Sequence, residues 1–269
     1  MTEAEAMGRE AEQSDWLDRA VQVGLVAYGV VHLLIGWLAV QLALGDHSSQ
    51  ASAKGAMQEL AQQPFGKVLV WAVAVGMFLL VVWRVIEAAF GQRDEDGSDR
   101  VRKRVTSGLK AGIYGALGAT AVRVATGSSS SGKSSSGLTA KLMDLPAGQW
   151  IVVAVGVAIL GYAGNTAWRG WKEKFADHLD TEGKLGNSGA AYLLLGQVGY
   201  IAKGIALALV GWLFCYAGIS HDPHKSGGLD QALQKVLQQP FGPYLLIVIG
   251  VGIACYGLFC FARARHLAR

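Results

Sequence analysis

Apolar residues gather into six long runs, at 20–44, 68–90, 105–126, 149–168, 192–219 and 244–262, divided by shorter polar stretches. A helix needs about 20 apolar residues to cross a bilayer, and each run comes close to or exceeds that length. The alternation at period two that marks a membrane β-barrel is absent. Lipid cannot satisfy an open backbone, so helices remain as the spanning elements. The expected fold is all-α: a polytopic membrane protein with six transmembrane helices. Two shorter segments, 53–62 and 229–238, place Ala53, Ala56, Met57 and Leu60, then Leu229, Ala232, Leu233, Val236 and Leu237, at helical spacing. Each ends just before a proline, where helices tend to stop. They read as amphipathic helices on the outer surface or over the bundle.

The runs repeat. Shifted by 175, residues 22–38 match 197–213 at nine of seventeen positions, among them Gln22/Gln197, Gly29/Gly204, Gly36/Gly211 and Trp37/Trp212. Both copies later reach Gln-Gln-Pro-Phe-Gly, at 62–66 and 238–242. A weaker middle copy carries Leu109-Lys110-Ala111-Gly112 and Pro146-Ala147-Gly148. Its outer connection begins with a Ser/Gly run, 127–137, that reads as a flexible tether. The chain therefore divides into an acidic tail (1–19), three two-helix units (20–90, 105–171 and 192–262) and a basic tail (263–269). Repetition of this kind predicts three tandem hairpins in a pseudo-threefold arrangement. The first helix of each pair is the richer in glycine. Close approach through small residues drives helix association in lipid. Gly29, Gly36, Gly112, Gly204 and Gly211 are thus the expected packing residues, with the leading helices innermost.

Charge sets the orientation. The termini and the 91–110 and 169–189 linkers hold fifteen Lys and Arg, Arg169 and Arg263 among them, against seven on the opposite side. The positive-inside rule places both termini in the cytoplasm and the protein in the cell membrane. The net charge of +4 then needs no nucleic-acid partner. Only 16% of residues are charged, below the about 25% of a soluble domain. The lipid bilayer is the first expected partner, with other membrane proteins or a second copy next.

Polar groups at membrane depth are costly and each needs a reason. Tyr28, His32 and Lys203, with Gln22 and Gln197, form a candidate polar axis or pore lining. Arg84 and Glu87, three apart, form a candidate ion pair at the inner leaflet. Cys215, Cys255 and Cys260 lie in apolar runs without ligand spacing, so no metal or other cofactor is expected. No metalloprotease, nucleophile-elbow or phosphate-loop motif appears, so the protein is not expected to be an enzyme.

The Gly-Tyr-x-Ala-Lys-Gly of 199–204, the Gly-Trp that follows and the repeated Gln-Gln-Pro-Phe-Gly resemble the domain-of-unknown-function 1206 family. The resemblance implies a bacterial integral membrane protein of three tandem two-helix units. It covers roughly residues 16–265 and implies no activity. Two functions fit: a structural or membrane-organising subunit first, and an ion or small-solute channel or transporter on the repeat axis second.

Overall fold

The computed structural model describes residues 15–46, 50–90, 98–127, 135–145, 147–180, 182–184 and 186–267. Among them the fold is all-helical: α1 (Asp15–Ala43), α2 (Ala53–Gln62), α3 (Gly66–Phe90), α4 (Ser98–Ala125), α5 (Ser135–Met143), α6 (Gly148–Trp171), α7 (Gly186–Ser220), α8 (Leu229–Leu237) and α9 (Gly242–Arg265). The first hairpin is α1 with α3, the second α4 with α6, the third α7 with α9. The short helices α2, α5 and α8 sit at the far turns. The middle unit therefore keeps an outer helix from Ser135 onward, where a tether was expected; the rest of that Ser/Gly run lies outside the described residues.

Five helices, α1, α3, α6, α7 and α9, are long and apolar enough to cross a membrane. The sixth expected span, α4, is long enough at 28 residues, but it carries Arg104, Lys110 and Arg123 among its turns. It is sheltered by α3, its main packing neighbour.

The principal helix pairs are α3 with α4, α1 with α3, α1 with α9, α7 with α9, and α6 with α7. The bundle is thus an arc in the order α4–α3–α1–α9–α7–α6. None of these pairs joins two leading helices, so the expected inner trio does not form. The two most enclosed spans are instead α1 and α9, one leading and one trailing. They run antiparallel, which puts both described ends of the chain at one end of the bundle, here the terminal end.

Glycine explains this choice. A Cβ on Gly29 would stand 2.8 Å from the carbonyl oxygen of Gly257, and one on Gly257 would meet that of Gly29 at 2.8 Å. Gly36 and Gly250 oppose one another in the same way, at 2.5 and 2.9 Å. Hairpin-ending α9 supplies Gly250 and Gly257, so the two copies mesh through glycines that only one of them holds in its leading helix. On the other side a Cβ on Gly204 would stand 2.9 Å from the Ala163 carbonyl oxygen, and one on Gly211 3.0 Å from that of Gly156. Gly112 makes no such contact: a Cβ there would meet nothing within 4 Å.

The three Pro-x-Gly turns are alike. Phe65, Ala147 and Phe241 all sit at φ 60 as the residue before the second helix of each hairpin. A side chain on Gly66, Gly148 or Gly242 would run into the carbonyls ending the short helix before it, at Leu60, Leu142 and Leu237. The two phenylalanines are almost fully exposed, and so are much of Trp37, Trp71, Trp150 and Trp212. This is the aromatic belt expected of that membrane interface.

The half of the bundle at the far turns is apolar. Leu38, Ala39, Leu42, Val70, Val73, Ala74 and Met77 pack with Ala121, Ala125, Leu246 and Ile249. Met57 of α2 and Leu233 of α8 close it, both fully buried. The amphipathic segments therefore lie over the bundle. The Ala51 N–H donates to Asp230 Oδ1 at 3.0 Å, which ties the first unit to the third.

Candidate functional site

The inner half is different. A cavity of about 60 Å³ opens among all six long helices. Its lining comprises Tyr28 of α1, Arg84 of α3, and Thr106, Lys110, Ile113 and Tyr114 of α4. The opposite wall supplies Tyr162, Asn165, Thr166 and Arg169 of α6, Tyr200 and Lys203 of α7, and Tyr256 and Arg263 of α9. Each hairpin thus brings an arginine from the closing part of its second helix. Arg169 lies two residues from the end of α6, and Arg263 two from the end of α9. The chamber therefore begins near the terminal end and runs inward to Tyr28 and Lys203.

Lys203 is the deepest cation. Its Nζ donates to the Tyr28 hydroxyl at 2.7 Å and lies 3.9 Å from the centre of the Tyr256 ring. Tyr28 and Lys203 occupy equivalent positions of the first and third copies, so the repeat's two versions of one site meet each other. Four buried tyrosines build the wall behind them: Tyr28 with Tyr114 at 5.2 Å and with Tyr256 at 6.1 Å, and Tyr200 with Tyr256 at 5.2 Å, all near edge-to-face. Edge-to-face geometry places ring hydrogens on neighbouring π-faces and stiffens the wall. Phe175, from the linker after α6, stacks on Tyr200 at 5.2 Å and is fully buried, seated where Gly196 has no side chain.

Arg84 is anchored. One guanidinium nitrogen pairs with Glu87, which also accepts from the Ser107 hydroxyl at 3.1 Å, and the group stacks 3.9 Å from the Trp83 ring. Its Nε, however, has no hydrogen-bond partner among the described residues, and neither has that of Arg263. Both side chains belong to buried residues, 4% and 8% exposed. Buried polar atoms are nearly always satisfied, so these two Nε atoms, each closed off on a side chain that lines the cavity, are exceptions.

Other expected site residues fall elsewhere. His32 is buried beside the chamber but not in its lining. Its Nδ1 bonds the Tyr28 carbonyl at 2.9 Å, and its ring packs on Tyr28 and Tyr256. Gln22 and Gln197 are half-buried and outside the lining. Conversely, the lining includes Lys110, Arg169 and Arg263, which the charge pattern marks only for orientation, and Tyr114, Tyr162, Tyr200 and Tyr256, which no sequence pattern singles out. One signal was available: Trp83-Arg84 and Trp168-Arg169, with Arg263 at a similar place in the last helix, repeat once per hairpin.

Among the described residues the lining thus holds five basic side chains and no carboxylate; Glu87, close by, is engaged by Arg84 and Ser107. Clefts lined by one sign of charge with low-dielectric walls concentrate the opposite ion. A lining of this composition favours anions over cations.

A family model described as Domain of Unknown Function (DUF1206) matches three stretches of the chain, 23–91, 106–173 and 198–266. The chain belongs to this family. The three matched stretches coincide with the three hairpins, so each copy of the DUF1206 repeat supplies one of the chamber's arginines. The chain is also similar to the uncharacterized protein YxxB of Bacillus subtilis strain 168, at 26% identity over 253 residues, covering 94% of this chain and 92% of that protein. No solved structure matches. Membership of the DUF1206 family brings no activity with it.

Proposed function

We propose that this is a six-pass membrane protein that holds an anionic ligand in a blind chamber facing the cytoplasm. One observation carries the reading: the chamber is lined by Arg84, Lys110, Arg169, Lys203 and Arg263, with no acidic side chain in the lining among the described residues. Cations at membrane depth are expensive unless a counter-charge or ligand compensates them. The chamber also supports α4 as the sixth span, since its polar Thr106 and Lys110 face protein interior instead of lipid.

The apolar half at the far turns favours a binding, membrane-organising role over a conduit. A pore needs a wet path, and Met57 and Leu233 instead cap an apolar layer that includes Leu38, Leu42 and Leu246. The test is thermal unfolding of the purified protein in phosphate, sulfate or chloride at equal ionic strength. Multivalent anions should raise the melting temperature, and Lys110→Met with Lys203→Met should abolish the rise. A wild-type melting temperature indifferent to the anion would end this reading. Proteoliposome flux above that of empty vesicles, lost in Lys203→Met, would restore the channel in its place.

A further inference from the structure

The ligand's chemistry and its route can be argued further, on the basis of that anion-binding reading. We infer that the chamber takes a phosphate group carried on a lipid, entering sideways between α4 and α6 from the leaflet at the terminal end.

Three features of the site converge on this. The first is the donor set. Arg84 and Arg263 line the chamber as buried residues, and Arg169 completes one arginine per hairpin. Guanidinium forks match the oxygens of a phosphate, which accepts two parallel bonds. Tyrosine hydroxyls and Lys203 Nζ supply further donors on the inner side. The second is size. A cavity of about 60 Å³ accommodates about four to six water-sized groups, enough for one tetrahedral oxyanion but not for a lipid. Any hydrocarbon attached to that oxyanion must lie outside.

The third is the opening. The helix arc begins at α4 and finishes at α6, and these two are not among the principal packing pairs although both border the chamber. The exposed members of the lining lie on them: Ile113 on α4, 44% exposed, and Asn165 on α6. The rear wall, made by Tyr28, Arg84, Tyr114, Tyr200, Tyr256 and Arg263, is buried. The chamber therefore opens to the side, past an isoleucine suited to acyl chain. Arg169 and Arg263, near their helix ends, stand at headgroup depth, with Trp168 and Trp171 exposed nearby as interfacial anchors.

The experiment is native mass spectrometry of the full-length protein, delipidated and then offered phosphatidylglycerol, phosphatidic acid or uncharged diacylglycerol, with thermal shifts in sodium phosphate run in parallel. The phosphate-bearing lipids should be retained and diacylglycerol should not. Arg84→Gln with Arg263→Gln should lower retention about tenfold or more, as expected for losing charge-assisted hydrogen bonds. Lys67→Gln with Lys235→Gln, at the opposite end, should leave it unchanged. Ile113→Trp guards against misfolding of the arginine variant: it crowds the side opening while leaving every chamber donor in place. It should weaken lipid retention and spare the phosphate-induced shift. A protein stabilised by free phosphate but retaining no lipid would overturn this inference and leave the anion-binding reading standing. Equal retention of diacylglycerol would overturn it too. Indifference to both phosphate and lipid would remove both.

Discussion

At the residue scale the Tyr28–Lys203 pair concentrates the logic of the site. Its two members are one position of the repeat that diverged, a hydroxyl in the first copy and an amine in the third, and each satisfies the other at 2.7 Å. Removing one partner strands the other in a buried place, which typically costs about 1–3 kcal/mol. Tyr28→Phe and Lys203→Met should therefore each destabilise the protein. The double variant should cost less than the sum, with a coupling of about 1 kcal/mol in a double-mutant cycle of unfolding. Strict additivity would show that the bond contributes nothing. His32 provides the contrast. Its bond to the Tyr28 carbonyl is internal to α1, and its ring packs on Tyr28 and Tyr256 without joining the lining. His32→Leu should leave the phosphate-induced thermal shift intact; a lost shift would mean the ring reaches the ligand. Sequence inspection marks Lys203 and His32 equally, because depth in an apolar run is all it sees.

At the element scale glycine has two different employments in this chain, and substitution separates them. Gly36 meets the Gly250 carbonyl and an Ala254 side chain, and a methyl there would be 2.5 Å from the oxygen. Gly36→Ala must push α1 away from α9 along its length, so a loss of about 1–3 kcal/mol is expected, the usual range for overpacking. Gly112 meets nothing, and alanine is the better helix former by about 0.5–1 kcal/mol. Gly112→Ala should raise the melting temperature slightly while Gly36→Ala lowers it. Equal effects would refute the packing order α4–α3–α1–α9–α7–α6. A similar argument holds at the hairpin turns. Phe65, Ala147 and Phe241 share a left-handed backbone that glycine or asparagine adopts more easily. The repeated Pro-Phe-Gly was visible as a punctuation mark between elements. Its glycine is required because Cβ would collide with the preceding helix, which no linear pattern states.

At the scale of the whole molecule, the units are joined at both ends. At the terminal end the Asp180 N–H donates to the His266 carbonyl at 3.1 Å, and Leu179 pairs with Leu267. At the far end the Ala51 N–H donates to Asp230 of α8. Burial raises the Asp230 carboxyl above its ordinary 3.8, and the Ala51 N–H opposes that rise. An acid whose folded pKa is raised binds its proton more tightly when folded, so stability should fall as pH climbs from 3.8 through the raised value and then level off. Asp230→Asn retains an acceptor for Ala51 and removes the titration. Its melting temperature should accordingly vary less over that acid range than the wild type's, and parallel curves would show that the carboxyl is not so placed. Topology reporters supply the global check. Fusions within 46–50 and 221–228 should report one side of the membrane, and fusions within 92–97 and at 181 the other. A shared side for the flanks of α4 would reduce the spans to the five apolar ones.

Element identity was largely legible from periodicity, since α2 spans Ala53–Gln62 as expected and α8 ends one residue early, at Leu237. Length and composition alone separate a spanning run from a surface helix, because the bilayer imposes its thickness and its lack of hydrogen-bonding partners on any sequence. Internal identity likewise revealed three hairpins, since copies of one unit fold by one local physics. What linear order could not decide was which hairpins touch. In lipid no hydrophobic gradient ranks the faces of an apolar helix, so the choice fell to atomic fit, where Gly29 and Gly36 found Gly257 and Gly250 across the longest separation in the chain. The chamber followed from that choice. Arg169 and Arg263 read in sequence as charges at helix ends and Arg84 as half of an ion pair, and only the packing of the three hairpins brings all three to one chamber.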